Sequence, residues 1–317
     1  MRDSFGRSID YLRISITDLC NLRCRYCMPA EGIVKQNHRD ILSLEEISEI
    51  ASAAVELGIA KIRLTGGEPL LRKGLLSLCR SLSSLPGLRE LAITTNGVLL
   101  PAMAADLKAA GVSRLNISLD TLRADRYSEI TRIGSLSDVL QGIESAEKAG
   151  FKGTKINVVL LGGVNDDEIA DFVHLTVERP IDVRFIELMP IGPAADFPSD
   201  AYLPCAAVLE RCPELQGLPS DGGVAELYRL SGAKGRVGLI RPLSCSFCSQ
   251  CNRIRLTADG HIKPCLHSGE ELPLRGLHGE ELRRALQAAI MKKPEAHGLL
   301  SSESPSETGR TMNAIGG

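Results

Sequence analysis

Short apolar-rich runs of period two alternate with longer runs of helical period six times in the first 190 residues, and this repeat limits the folds open to the chain. The strand-like runs are 11–17, 60–65, 89–95, 113–120, 154–160 and 181–189. Helical runs fill the gaps. The first, 43–58, opens with the capping-box pair Ser43 and Glu46 and stops at Gly58. Strands separated by helices pair in parallel through right-handed crossovers. Six units fall short of the eight of a closed TIM barrel. The expected fold is therefore α/β, an open partial (βα)6 TIM-like barrel, with a doubly wound sheet as the alternative.

From about residue 191 the texture changes. The segment 190–204 is rich in Pro and Asp and reads as a connection. Runs 225–230 and 235–240 predict one hairpin, and 252–266 a second around Asp259-Gly260. The expected division is a barrel core over 1–222 and a C-terminal extension over 223–317.

Composition narrows the partners. A net charge of −2, from 37 basic and 39 acidic residues, argues against a general polyanion binder. With aromatics at 3% and no Trp, stacking platforms for single strands are not expected, and neither is a nucleic-acid partner. No apolar run approaches the ~20 residues of a membrane span, and the charged start lacks a signal peptide's apolar stretch. The expected compartment is the reducing cytoplasm, where cysteines serve more often as metal ligands or catalysts than as disulfides. Of ten cysteines, seven fall into two tight groups. Cys79 reads as a small core residue, while Cys205 and Cys212 fit no pattern.

In parallel βα folds, functional residues gather beyond the carboxyl ends of strands. Here the three-cysteine loop follows the first strand, GGEP (66–69) the second and TTNG (94–97) the third. Ser118 and Asp120 end the fourth strand, and Met189 and Pro190 end the sixth. Strand parity puts Leu12, Ile14 and Ile16 on one face and Arg13, Ser15 and Thr17 on the other. The same parity groups Arg63 with Thr65, Asn116 with Ser118 and Asp120, and Lys155 with Asn157. Apolar faces should meet the outer helices, so the polar faces should line the inside. Unpaired buried cations cost several kcal/mol each, by rough estimate. A lumen holding Arg13, Arg63 and Lys155 wants an anion, such as a nucleotide's phosphates, unless buried carboxylates or water at the rim satisfy these cations instead.

Cys20, Cys24 and Cys27 are spaced C-x3-C-x2-C. Three thiolates can hold a [4Fe–4S] cluster by three corners and leave its fourth iron open. The alternatives are a zinc site completed by His38, or three unrelated thiols. Cys248, Cys251 and Cys265 form C-x2-C-x13-C, with Cys245 three residues ahead. Four cysteines could also make an all-thiolate zinc knuckle or a fully ligated cluster. The short 245–248 spacing and the register of the following NRIR favour Cys245 as a bystander.

With Tyr26 between its last two cysteines, and with GGEP beyond the second strand, the first group resembles the signature of the radical S-adenosylmethionine enzymes. RISITDLCNLRCRYCMP, KIRLTGGEPLLR, TTNG, NISLDTL, RFIELMP, the second cysteine group and the final IGG extend the match. From end to end the chain resembles the GTP 3′,8-cyclase (MoaA) family of molybdenum-cofactor biosynthesis.

That resemblance implies a lyase that turns GTP into a 3′,8-cyclo-7,8-dihydro nucleotide using two [4Fe–4S] clusters and S-adenosylmethionine. It implies that Cys20, Cys24 and Cys27 hold the cluster that cleaves S-adenosylmethionine, and that Tyr26, Gly67, Ser118 and Met189 border that cofactor. Arg13, Arg63, Thr94 and Lys155 match GTP-binding positions, as does the segment Arg253, Ile254 and Arg255. Cys248, Cys251 and Cys265 match the ligands of a second cluster whose open iron meets guanine, and Gly316 and Gly317 match a tail that reaches the site. The implied partners are a flavodoxin- or ferredoxin-type electron donor and a downstream cyclic pyranopterin monophosphate synthase, with a homodimer left open. Two rival readings remain: a peptide-modifying radical enzyme with an auxiliary cluster, and a zinc-stabilised binding module without redox chemistry.

Overall fold

The computed structural model of the chain describes residues 1–33, 37–245, 247–301 and 303–316. The tail residue Gly317 and the side chain of His38 lie outside the described residues. All six expected strands form, as β1 (Tyr11–Ser15), β2 (Lys61–Thr65), β3 (Glu90–Thr95), β4 (Arg114–Ser118), β5 (Lys155–Leu160) and β6 (Asp182–Glu187). Each pairs with the next in parallel. The crossover helices are α1 (Leu44–Glu56), α2 (Leu75–Ser83), α3 (Leu100–Ala109), α4 (Ala124–Thr131), α5 (Leu136–Lys148) and α6 (Ile169–Glu178). The helical run between β4 and β5 is two helices, α4 and α5, separated at Arg132, a non-glycine residue at φ +65°.

Helix α1 begins as its sequence dictates. The Ser43 side chain accepts from the Glu46 N–H, and the Glu46 carboxylate accepts from the Ser43 N–H. Its inner face buries Ile47, Ile50 and Ala54 against the outer faces of β1 and β2, where Leu12, Ile14, Ile62 and Leu64 are fully buried. At about 25 cal/mol per Å2 of apolar surface, this ring of helices over alternate strand residues is the main favourable term in the fold.

The C-terminal half extends the barrel. After α7 (Ala206–Arg211), β7 (Gln216–Leu218), β8 (Glu226–Arg229) and β9 (Val237–Ile240) form antiparallel pairs, and β9 joins β6 in parallel. On the far side β10 (Arg253–Leu256) pairs with β1 in parallel, and β11 (His261–Lys263) and β12 (Leu272–Pro273) continue antiparallel. Both expected hairpins are present. The sequence reading of six parallel strands becomes a parallel run from β10 through β9 within a 12-stranded sheet whose edges are β12 and β7. Hairpin partners announce themselves locally, whereas the opposite edges of β9 and β10 find theirs only in the folded chain. Two helices complete the fold, α8 (Gly279–Met291) against α1, and the short α9 (Met312–Ile315). Among the described residues no helix is long and apolar enough to cross a membrane. Cys79, Cys205 and Cys212 are buried in the core.

Candidate active site

The inner faces of the strands enclose a cavity of about 460 Å3. Both cysteine triplets line it: Cys20, Cys24 and Cys27, and Cys248, Cys251 and Cys265. Cys245 is exposed and does not line it.

The first triplet is held by the glycines of GGEP. The Gly67 N–H donates to the Thr17 carbonyl at 2.8 Å, and the Glu68 N–H to the Leu19 carbonyl at 2.7 Å. A Cβ on Gly67 would collide with the Leu19 oxygen, so this close passage of two backbones requires glycine. The Glu68 carboxylate is buried and accepts from the Leu70 N–H, the Asn96 N–H and the Thr95 hydroxyl at 2.7–3.0 Å. Burial nevertheless pushes its pKa up to about 7. Asn96 carries the tie onward, donating from Nδ2 to Asn21 Oδ1 at 2.8 Å. On the outer side Arg132 donates to the carbonyls of Arg23 (2.8 Å) and Met28 (3.1 Å). GGEP is therefore a turn that also anchors the cysteine loop, while Gly66 and Gly67 border the cavity.

Strand register assembles the cations. Arg255 on β10 pairs with Arg13 on β1, and Arg13 with Arg63 on β2, so three arginines stand in one row across adjacent strands. All three are buried and line the cavity. Burial lowers the Arg13 pKa well below the ordinary value, and the charges of Arg255 and Arg63 lower it further. Across the cavity, burial and repulsion by Arg184 and Arg114 bring the Lys155 pKa down to about 7, although Asp182 lies 3.6 Å away. Asp182 is shared with Arg236 at 2.7 Å, which limits what it can do for Lys155. Several buried atoms facing this space have no hydrogen-bond partner: Arg63 Nε, Arg184 Nε, Thr94 Oγ1 and Asn157 Oδ1. The Arg63, Arg184 and Thr94 groups can donate and fit a polyanionic ligand, whereas Asn157 Oδ1 can only accept and suits a donor on that ligand.

Tyr26, Gly67, Ser118 and Met189 also border the cavity. The Tyr26 hydroxyl donates to Asp120 at 2.6 Å, and burial pushes the Asp120 pKa up to about 6 against that bond and one from the Val159 N–H. Ile254 faces the other way, fully buried in the core, so it can offer the site only its backbone. The Gly316 carbonyl accepts from Arg255 at 2.8 Å, which brings the tail onto the arginine row.

In the second triplet one thiol is shifted toward the ionised form. Burial opposes ionisation of Cys251, yet Arg253 and Lys293 bring its thiol down to about 6. At the first triplet the balance is reversed. Burial pushes Cys27 up to about 12, and the neighbouring Cys20 adds to the rise. Both sets fit three-cornered cluster binding. Among the described residues no three His, Cys, Asp or Glu side chains are gathered tightly enough for a single metal ion. A cubane spans several irons, and its thiolates stand apart on different ones.

Several lining residues escape the sequence reading: Lys61, Arg114, Arg184, Lys293, His267 and His297. Parity applied to the sixth strand would have found Arg184, which faces inward with Ile186. Lys293 and His297 follow α8 and carry no local signal.

Comparison with known proteins agrees with this geometry. The pattern of the Radical SAM superfamily matches residues 14–176, and that of Molybdenum Cofactor Synthesis C matches 181–299. The chain is 51% identical over 321 residues to a GTP 3′,8-cyclase of Alkaliphilus oremlandii, covering 100% of both. It is 52% identical over 320 residues to one of Peptoclostridium acidaminophilum, covering 99% of this chain and 98% of that relative. In fold it is similar to the crystal structure of Streptococcus suis SuiB, with TM-score 0.64 and 14% identity over 90% of this chain and 66% of that one.

Proposed function

Because the chain belongs to the GTP 3′,8-cyclase family of radical S-adenosylmethionine enzymes, we infer that it converts GTP to 3′,8-cyclo-7,8-dihydro-GTP, the first step of molybdenum-cofactor biosynthesis, with GTP lying in the central cavity between two [4Fe–4S] clusters. When bound, the clusters and S-adenosylmethionine supply the one-electron chemistry that removes a hydrogen atom from C3′ of GTP, which then bonds to C8 of guanine.

The protein's own residues bind and orient. Cys20, Cys24 and Cys27 hold the first cluster, and Tyr26, Gly67, Ser118 and Met189 border S-adenosylmethionine. Arg13, Arg63 and Lys155 hold the triphosphate, with Thr94 offering its free hydroxyl. Cys248, Cys251 and Cys265 hold the second cluster, with Arg253 and Arg255 beside the purine. The enclosing strands fix the reacting atoms and exclude water. Residues 1–222 supply most of the cofactor and phosphate contacts, and 223–317 the guanine end and the tail. A flavodoxin- or ferredoxin-type protein supplies the electron, and a cyclic pyranopterin monophosphate synthase takes the product.

The observation that carries this reading is the arginine row Arg255–Arg13–Arg63 in a cavity lined by two thiol triplets. Half identity along the full length to cyclases favours it over both rivals. The likeness to SuiB speaks for the fold alone. Anaerobically reconstituted protein should contain about eight irons and eight sulfides per chain. GTP should alter the magnetic spectrum of one cluster; an unchanged spectrum overturns the reading.

A further inference from the structure

The C-terminal segment is part of the cavity wall, and it is latched in place. Arg310 donates to the Glu271 carboxylate through Nε (2.8 and 2.9 Å) and Nη2 (2.6 Å), and to Asp259 at 2.9 Å. Lys263, whose side chain is fully buried, braces Glu271 at 2.7 Å. Beyond this latch the chain crosses to the first cysteine loop. Ile315 is fully buried, and a Cβ on Gly316 would collide with Thr65 Oγ1, so the tail lies directly on the ends of β1 and β2.

Between latch and tail stands Asn313, 2% exposed. Its Nδ2 donates to the Asp18 carbonyl at 3.3 Å, and its backbone N–H faces the Cys27 sulfur. The Asp18 carbonyl can only accept, which assigns Nδ2 to that side and turns the amide oxygen the other way. That oxygen is buried without a hydrogen-bond partner, on a residue that borders the cavity. A buried acceptor without a donor costs as much as a lost hydrogen bond. The nearest parts of the site are the first cysteine loop and Gly67, whose added Cβ would meet the same Asp18 oxygen at 2.5 Å.

We propose that Asn313 Oδ1 accepts a hydrogen bond from the methionyl amino group of S-adenosylmethionine, and that Arg310 is the positioning residue that latches this strap in place. The proposal rests on the reading that the first triplet carries the cofactor-cleaving cluster. Its test is affinity, measured by anaerobic equilibrium dialysis of the cluster-loaded protein against S-adenosylmethionine and, separately, GTP. Asn313→Ala should weaken S-adenosylmethionine binding about tenfold and change GTP binding less than about twofold. Arg310→Ala should shift the same balance the same way and make the tail digestible by carboxypeptidase, also in cluster-free protein. Arg310→Lys should restore part of both.

Unchanged S-adenosylmethionine affinity in Asn313→Ala, or equal weakening of both ligands, overturns the proposal. Should Asn313→Ala fail to fold, Arg310→Ala decides: a digestible tail with wild-type S-adenosylmethionine affinity overturns it. Failure of the unsubstituted protein to bind GTP would instead strike at the family reading.

Discussion

Glu187, the last residue of β6, holds Ser244 of the loop that leads to the second cysteine group. Its carboxylate accepts the Ser244 N–H at 3.0 Å and the Ser244 hydroxyl, along with the N–H groups of Leu243 (2.9 Å) and Cys205 (3.1 Å). One buried side chain of the barrel thus sets the entry of the loop carrying Cys248 and Cys251.

Replacing Glu187 with Ala leaves these donors without an acceptor, a cost of about 2–4 kcal/mol. The first triplet does not depend on Glu187, so iron per chain should fall toward half while S-adenosylmethionine binding persists. Glu187→Gln should lose less. Iron analysis and thermal unfolding check both, and full iron in Glu187→Ala would show that the loop is held by other means.

Gly67→Ala should have the converse effect. The added methyl would run into the Leu19 oxygen and force the first cysteine loop off its seat. We expect loss of the first cluster's iron and of S-adenosylmethionine binding, with the second cluster retained and readable by its magnetic spectrum.

If Lys155 holds the triphosphate as proposed, GTP binding should depend on pH. Burial, Arg184 and Arg114 bring its pKa from 10.5 to about 7. The unfolded chain therefore holds this proton more tightly, and stability from this group rises as pH climbs from about 7 to 10.5. A bound triphosphate favours the charged form, so binding at pH 8 should take up close to one proton, and affinity should fall as pH rises above about 7. Calorimetry in buffers of different ionisation enthalpy measures the uptake. Lys155→Ala should abolish it and weaken GTP binding while sparing uncoupled cleavage of S-adenosylmethionine. Equal loss of both functions would mean that Lys155 is structural.

Cys245→Ser should keep full iron and the GTP-induced spectral change, because Cys245 is exposed and away from the cavity. Cys248→Ser should lose the second cluster. A Cys245→Ser protein with depleted iron would make Cys245 a ligand.

Much of this architecture is local, and local features are legible in a sequence. The alternation of Leu12, Ile14 and Ile16 with Arg13 and Ser15 is a property of any strand, so the inward cations were readable without coordinates. So were the cysteine spacings and the Ser43–Glu46 cap. Arg184 obeys the same parity rule and was simply not drawn from it. The break between α4 and α5 has a local signal, Gly134 followed by Ser135 in the linker, but only the folded chain shows that Arg132 takes the positive φ there.

Sequence alone thus determined which face of each core strand is charged and which loops carry thiols, because side-chain period and spacing act over a few residues. Tertiary structure decided which strands are neighbours. Nothing in RIRL says that it lies parallel to β1, yet only that pairing sets Arg255 beside Arg13 and brings the second triplet to the same cavity as the first. Edge pairing between segments some 240 residues apart is chosen by the closed packing of the whole chain, and no local pattern encodes it.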